Sequence, residues 1–404
     1  MAAAEWPFQE MIVVWDPAFS AGFALPPHPA LSTRTFRPIL PLPEHNLDLL
    51  RALAVLSVLA FHLLLSQHVT GVEWLGRIGV LAFFVHTSVV LLSSLERSGQ
   101  GDGWISAFYI RRAFRIYPLS VATILVVVVV GIPWPVPVAG LVQLYSRPSW
   151  WTIASNLLLV QNLAGNEDVA SVLWTLPLEV QMYAVLPLCL LAARRGLRAV
   201  IALLLLGIAG GLLWQAMIVR GLWRVSVLPF VPCFMAGVLV HALRIHYPLL
   251  RRAPGWLWPP VLVALGALSW RPNADHASLW VQWTFCLAIA LAMVSIRDLA
   301  PSWITLVNKR IATYSYGCYL LHNVAIWYAF VVLRNRTAVT QWSVCMAGML
   351  LLPWVAYHVI ERPGIRLGQH IVRRRELRPT AARVDWATAN LLEDEEPAST
   401  PGVP

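Results

Sequence analysis

Charge is scarce in this chain of 404 residues: Asp, Glu, Lys and Arg together make up 12% of it, where a soluble domain carries roughly 25%. With 58% of residues hydrophobic, that shortfall excludes an ordinary water-soluble fold, and it excludes a disordered chain as well. Cysteine is scarce too. The five present (Cys189, Cys233, Cys286, Cys318, Cys345) all lie inside apolar runs, so they read as small hydrophobes and not as a secreted disulfide framework. Absent altogether are a Gly-rich phosphate loop and the HExxH, CxxC and GxSxG motifs, which removes the common soluble chemistries. No basic stripe with interleaved aromatics accompanies the formal charge of +10, so no nucleic-acid partner is expected. No internal repeat is visible.

What the chain has in abundance is long apolar runs. A membrane-spanning helix needs about 20 mainly apolar residues to cover roughly 30 Å of hydrocarbon. Segments of this kind occur at Leu47–Ser66, Leu75–Leu95, Phe108–Ile132, Val172–Ala193, Ala199–Val219 and Val225–Leu243. Four more follow at Trp256–Trp270, Leu279–Ile296, Ile311–Leu333 and Trp342–Ile360. The seventh is short and contains Pro259 and Pro260; if it does not cross, every later orientation inverts. The expected fold is all-α, a polytopic membrane helix bundle of about ten transmembrane helices, embedded in the lipid bilayer.

The basic residues agree with that count. With the N-terminus in the cytosol, one side collects Arg97, Arg111, Arg112, Arg194, Arg195, Arg198, Arg244, Arg297, Lys309, Arg310 and Arg373–Arg375. The other side keeps a sparser set that includes Arg147, Arg220, Arg271 and Arg334. This is the positive-inside asymmetry, with both termini cytoplasmic, and it accounts for the basic balance without nucleic acid. Residues 1–45 are rich in Pro and carry Glu5 and Glu10 where a leader would be basic, so they read as a flexible cytosolic arm. Residues 46–367 form the membrane domain, and 368–404 read as a basic, then acidic, disordered tail. Between the third and fourth segments, Trp150 to Val160 reads as an interfacial helix with a Trp anchor.

Ionisable groups inside a span are costly unless paired or facing water, which makes each a candidate functional residue. His62, His86, Glu179 and His322 all stand at depth. Arg51 and His62 are eleven residues apart, three turns plus about 20°, so they share a face of one helix with an axial separation of roughly 16 Å. Such a face suits a ligand that is anionic at its wet end and reactive at its deep end; an interfacial Arg and a structural His fit the spacing as well. Glu179 and His62 lie at similar depth on different helices, so a carboxylate can be brought to an imidazole there, the alternative being a structural Glu–His or Glu–Arg bridge between helices. Arg112 and Arg115 are neighbours on one helix surface and could grip phosphates bidentately, although topogenic charge explains Arg111 and Arg112 equally well.

Five blocks in order resemble the acyltransferase-3 family of integral-membrane O-acyltransferases. Leu50 to His62 is similar to its Arg-x10-His signature, and Phe108-Tyr-Ile-Arg-Arg-Ala-Phe-Arg115 to its Arg-x-x-Arg entry to the third span. Leu173-Trp-Thr-Leu-Pro-Leu-Glu-Val-Gln-Met-Tyr183, with Pro187, resembles its Leu-Trp-Ser-Leu-x-x-Glu-x-x-Phe-Tyr block. Ser315-Tyr-Gly-Cys-Tyr-Leu-Leu-His322 and Glu361-Arg-Pro363 match its last two landmarks. Departures occur at Thr175 and Met182, and in the second span, where Phe83-Phe-Val-His-Thr-Ser88 replaces Phe-Phe-x-x-Ser-Gly. A stand-alone form, without a hydrolase-like extension, is expected.

The resemblance implies transfer of an acyl group, commonly acetyl from acetyl-CoA, to a hydroxyl of a carbohydrate, lipid-linked sugar or small molecule, at a prokaryotic plasma membrane. It implies acyl-CoA as donor, with no permanently bound cofactor and no metal. Arg51, Arg112 and Arg115 are then the docking place for CoA phosphates, and His62 is the general base or the acyl carrier. Glu179 orients His62 or holds the acceptor. Trp174 and Tyr183 flank Glu179 and could stack on a sugar, and His86 stands where the pocket departs from the family pattern. For His322 a structural role is the simpler account, with substrate binding the alternative. A polytopic transporter or a catalytically inactive sensor on the same fold remains the rival reading; the transporter would be expected to show repeated halves with broken helices, which are not visible.

Overall fold

The computed structural model describes residues 44–97, 103–133, 147–217, 224–247, 250, 253–269 and 278–376. Residues 1–43 of the expected arm, most of the expected tail and the Pro-rich stretch after Pro133 lie outside the described residues. Among those described, the chain is helical, and the one β-type contact is an isolated bridge between Ala253 and Ile296.

Each expected apolar segment is a helix. The first six are α1 (Glu44–Ser66), α2 (Glu73–Arg97), α3 (Trp104–Val130), α6 (Thr175–Arg195), α7 (Leu197–Met217) and α8 (Val231–His246). The remaining four are α9 (Trp258–Leu268), α10 (Leu279–Ser295), α11 (Trp303–Trp327) and α12 (Ala338–Ala356). Two short helices, α4 (Trp150–Leu157) and α5 (Gln161–Ala164), occupy the long connection, and α13 (Arg362–Glu376) follows α12 through a π-helical turn at Tyr357–Glu361.

Among the described residues, seven helical stretches are long and apolar enough to cross a membrane: those built on α1, α2, α3, α6, α7 and α8, and the continuous helix Ala338–Arg375. Gly255–Leu268 and Leu279–Ser295 are apolar but shorter. The 11 residues of α9 rise only about 16 Å, half of the hydrocarbon thickness. The outward faces carry large apolar side chains such as Leu206, Leu350 and Val263, each more than 60% exposed, a surface that only lipid would cover. The bundle is therefore a membrane fold.

The start of α1 is fixed from a distant part of the chain. The Asp298 carboxylate accepts the backbone N–H of Asn46 at 2.9 Å and lies 3.0 Å from the His45 ring. The Asn46 side chain donates to the Arg297 carbonyl and accepts the Leu299 N–H, while Trp258 donates its indole N–H to the Asn46 carbonyl. A carboxylate at the positive end of a helix satisfies N–H groups that would otherwise have no partner, and here it pins the helix that bears Arg51 and His62. α4 is capped by Ser149, whose hydroxyl accepts the Thr152 N–H, and Trp150 and Trp151 stand exposed at its start, as an interfacial anchor requires. The expected boundary between residues 367 and 368 falls inside α13, which runs on to Glu376.

Candidate active site

Five helices enclose one polar cavity of about 110 Å³. α2 lines it with Val80, Phe83, Phe84, Thr87, Val90 and Leu91, spaced as one helical face, and His86 stands beside them. α1 supplies Arg51; α3 supplies Arg112 and Arg115; α6 supplies Thr175, Glu179 and Tyr183 at intervals of four; α11 supplies Ser315, Tyr316 and Tyr319. Six of the nine residues singled out in the sequence thus meet around one space: Arg51, His86, Arg112, Arg115, Glu179 and Tyr183.

The cavity is cationic but held together by acids. The Arg115 guanidinium lies 3.1 Å from the Glu361 carboxylate, whose side chain is fully buried. Beneath it, 5.9 Å away, is the ring of Tyr316, whose hydroxyl donates to the Ile116 carbonyl. Tyr183 donates its hydroxyl to Glu179 at 2.7 Å, and Glu179 lies within electrostatic reach of Arg51 and Arg112. The Nε atoms of Arg51 and Arg112 are buried without a hydrogen-bond partner. Three guanidinium groups against two carboxylates leave positive charge around a small space, with N–H groups still to be satisfied. That arrangement fits an anion.

His62, Trp174 and His322 are not part of the lining. The His62 and His322 rings lie 4.9 Å apart, tilted by 49°, on the long contact between α1 and α11. Tyr319 links this pair to the cavity: it lines the cavity, its ring is 6.3 Å from His322, and its hydroxyl shares a 2.9 Å hydrogen bond with Thr175. Of the two partners open to Glu179, an imidazole or an arginine, the structure has it accept from Tyr183 within electrostatic reach of Arg51 and Arg112, and not beside His62. Trp174 is 39% exposed and packs on Phe230 at 5.7 Å.

The second-span departure has a structural counterpart. Ser88 stands where the family pattern has Gly, and opposite it α8 presents Gly237; a Cβ there would come within 2.5 Å of the Ser88 Cβ and 2.6 Å of the Val85 carbonyl. The small residue that lets the helices approach sits on the partner helix.

The family model for the acyltransferase-3 acyltransferase domain matches residues 44–358. The chain belongs to the acyltransferase-3 family. Among curated proteins it is similar to "Acyltransferase MdmB" of Streptomyces mycarofaciens, at 26% identity over 87% of this chain and 96% of that protein. It is also similar to "Peptidoglycan O-acetyltransferase OatA" of Listeria monocytogenes serovar 1/2a, at 30% identity over 36% of this chain and 24% of that protein. No solved structure matches it. It is thus an acyltransferase of a non-aminoacyl type, built as a helical membrane bundle.

Two groups of this acyltransferase are not among the candidate site residues of the sequence, although Glu361 opens the Glu361-Arg-Pro363 landmark. Glu361 stands one residue beyond the apolar segment that was read as ending at Ile360, so it counted as outside the membrane; the need of a deep Arg115 for a counter-charge was the available signal. The second group joins α2, α6 and α8: Glu96 lies 2.9 Å from the buried His241 and 4.0 Å from Arg194. Neither acid is marked by any short motif beyond the Glu-Arg-Pro triplet.

Proposed function

We propose that this acyltransferase works at the plasma membrane with both termini cytoplasmic. It moves an acyl group, acetyl from acetyl-CoA in the simplest case, to a hydroxyl of a carbohydrate or related acceptor. The observation that carries the reading is the convergence of Arg51, Arg112 and Arg115 on one cavity with unpartnered guanidinium N–H groups. CoA is a polyanion, and bidentate guanidinium contacts are the strongest phosphate grips a protein has. Arg51 stands about 10 Å along α1 from its first residue, near the side that the basic residues assign to the cytosol, where CoA is found.

With the phosphates at the arginines, the thioester extends past Tyr319 toward His62. His62 takes the proton of the acceptor hydroxyl as its oxygen attacks the thioester carbon. The C–O bond forms, the C–S bond breaks, and the proton passes to the departing thiolate. Glu179, with Tyr183, positions Arg51 and Arg112 for the donor. His86 and Thr87 close the wall beside the donor, and Trp174 offers an exposed aromatic face to an acceptor. The name of the Listeria relative supports acetyl as the group and a glycan as the acceptor.

The test is mass spectrometry of surface glycans and lipids from cells with the wild-type protein, with His62→Ala, and with none. A mass increment of one acyl group that appears only with wild type supports the reading. Identical spectra for wild type and a folded His62→Ala protein refute it.

A further inference from the structure

The second histidine of the deep pair has no task in the scheme above, yet its surroundings are specific. His322 is buried, and its Nδ1 lies 3.0 Å from the Cys318 carbonyl one turn earlier in α11. A carbonyl only accepts, so Nδ1 carries the hydrogen. In the neutral ring Nε2 is then a bare acceptor, and it is buried with no hydrogen-bond partner. Buried acceptors in native folds are almost always satisfied, so an exception beside a second imidazole calls for an explanation. The Tyr319 hydroxyl shares its hydrogen bond with Thr175, and α12 brings Cys345 to an apolar cluster with Ala325 and Met349. What faces His322 from α1 is the ring of His62, at 4.9 Å.

We propose that His322 is the positioning residue of His62: its Nε2 accepts the ring N–H of His62 that points away from the acceptor hydroxyl. This rests on the acyltransferase reading of His62 and deepens it. Accepting that N–H fixes which His62 nitrogen is bare, aims it at the hydroxyl, and spreads the positive charge that arises when the hydroxyl proton arrives. A carboxylate does this for histidine in many hydrolases. Here the cavity carboxylates are engaged elsewhere, Glu179 by the Tyr183 hydroxyl and Glu361 by Arg115, and a neutral imidazole locked by a main-chain carbonyl takes the place. A modest rotation of the two tilted rings closes the contact, as often happens when substrate binds. The Cys318 carbonyl is therefore part of the device, since it keeps the hydrogen off Nε2.

The experiment compares purified wild type, His322→Leu and His322→Gln in lipid vesicles with acetyl-CoA and an acceptor extract, measuring kcat and the KM for acetyl-CoA. Leu keeps the volume but has no acceptor; Gln keeps an acceptor oxygen. In His322→Leu, kcat should fall by about 10²-fold with KM unchanged, because the arginine cavity is untouched. His322→Gln should regain at least about tenfold of that loss. The proposal is overturned if folded His322→Leu turns over at the wild-type rate, if Gln is no better than Leu, or if KM rises in parallel with the loss in kcat. Failure of the underlying reading looks different: wild type itself would then transfer no acyl group and release no CoA, and the proposal would fall with it.

Discussion

Replacing the two partners of the Arg115–Glu361 pair singly and together separates their part in holding the bundle from the part proposed for Arg115 in binding the donor. The carboxylate is fully buried, whereas the Arg115 side chain keeps 22% of its surface open toward the cavity. Arg115→Met therefore leaves a charge stranded in a low-dielectric interior, a change that costs about 3–5 kcal/mol in comparable buried pairs. Arg51 reaches Glu361 electrostatically and relieves part of this, so about 2–3 kcal/mol is expected. Glu361→Gln leaves a cation that can still meet water in the cavity and rests on the Tyr316 ring; about 1 kcal/mol is expected there. The double variant Arg115→Met/Glu361→Gln strands no charge and should recover most of the loss, because replacing both members of a buried pair is often close to neutral. Activity should not follow stability. The double variant lacks one of three guanidinium groups, so its KM for acetyl-CoA should stay raised by about tenfold or more. Thermal melting of the four proteins in one detergent gives the first quantity and initial rates the second. If Arg115→Met melts no lower than the double variant, the stranded-charge argument is wrong; if the double variant has wild-type KM, Arg115 does not touch the donor.

Three further outcomes are expected. Gly237→Ala should lower the melting temperature, at a cost of about 1–3 kcal/mol, since its Cβ meets Ser88 and the Val85 main chain below 3 Å; pairing it with Ser88→Gly should restore part, and no change in either would refute the close-approach argument. Arg51→Gln and Arg112→Gln should each raise the KM for acetyl-CoA by about tenfold while leaving the melting temperature within a few degrees, which titrated initial rates would reveal. Asp168, in the connection before α6, has its carboxyl pushed up to about 6 by burial, against which the Gln161 amide hydrogen bond works. Its folded form holds a proton that the unfolded chain releases near 4, so its contribution to stability is present below that pH and is lost as pH rises through about 6, by about 1–3 kcal/mol. Melting of Asp168→Asn should be flatter than wild type between pH 4 and 6, and an unchanged profile would show that Asp168 does not titrate there.

Why the helices could be read and their partners could not is a question of dimension. Length and apolarity run along the chain, so all ten apolar segments, and the interfacial helix at Trp150, can be placed from the residues alone. The weak seventh segment is legible for the same reason: Pro259 and Pro260 leave α9 only 11 residues. Which face of one helix meets which face of another is not written along the chain. Arg51 and His62 share a face of α1, as their spacing requires, yet the groups they meet depend on the crossings of α3, α6 and α11. Equal depth suggested Glu179 for His62. The tight packing of α1 along α11 brings His322 there instead, and α6 turns Glu179 to Tyr183, four residues on in the same helix.

Glu361 shows the other limit. A boundary drawn where apolarity stops, at Ile360, takes the next residue as wet. The π-helical turn at Tyr357–Glu361 carries the helix past that point, and one turn before it Pro353 comes so near Gly317 of α11 that a Cβ there would lie 3.0 Å from the Pro353 Cα. Beyond the turn, Gly364 lies against the Phe114 carbonyl and the Pro118 ring, so α13 can approach α3 closely enough for Glu361 to reach Arg115. Hydropathy has no access to such a turn. Charge balance does: an arginine at the depth of Arg115 cannot stand alone, and the acid that answers it must come from whichever helix the small residues allow to come near. Searching a membrane sequence for the missing counter-charge of each deep ion, before drawing the ends of its spans, would have placed Glu361 in the site.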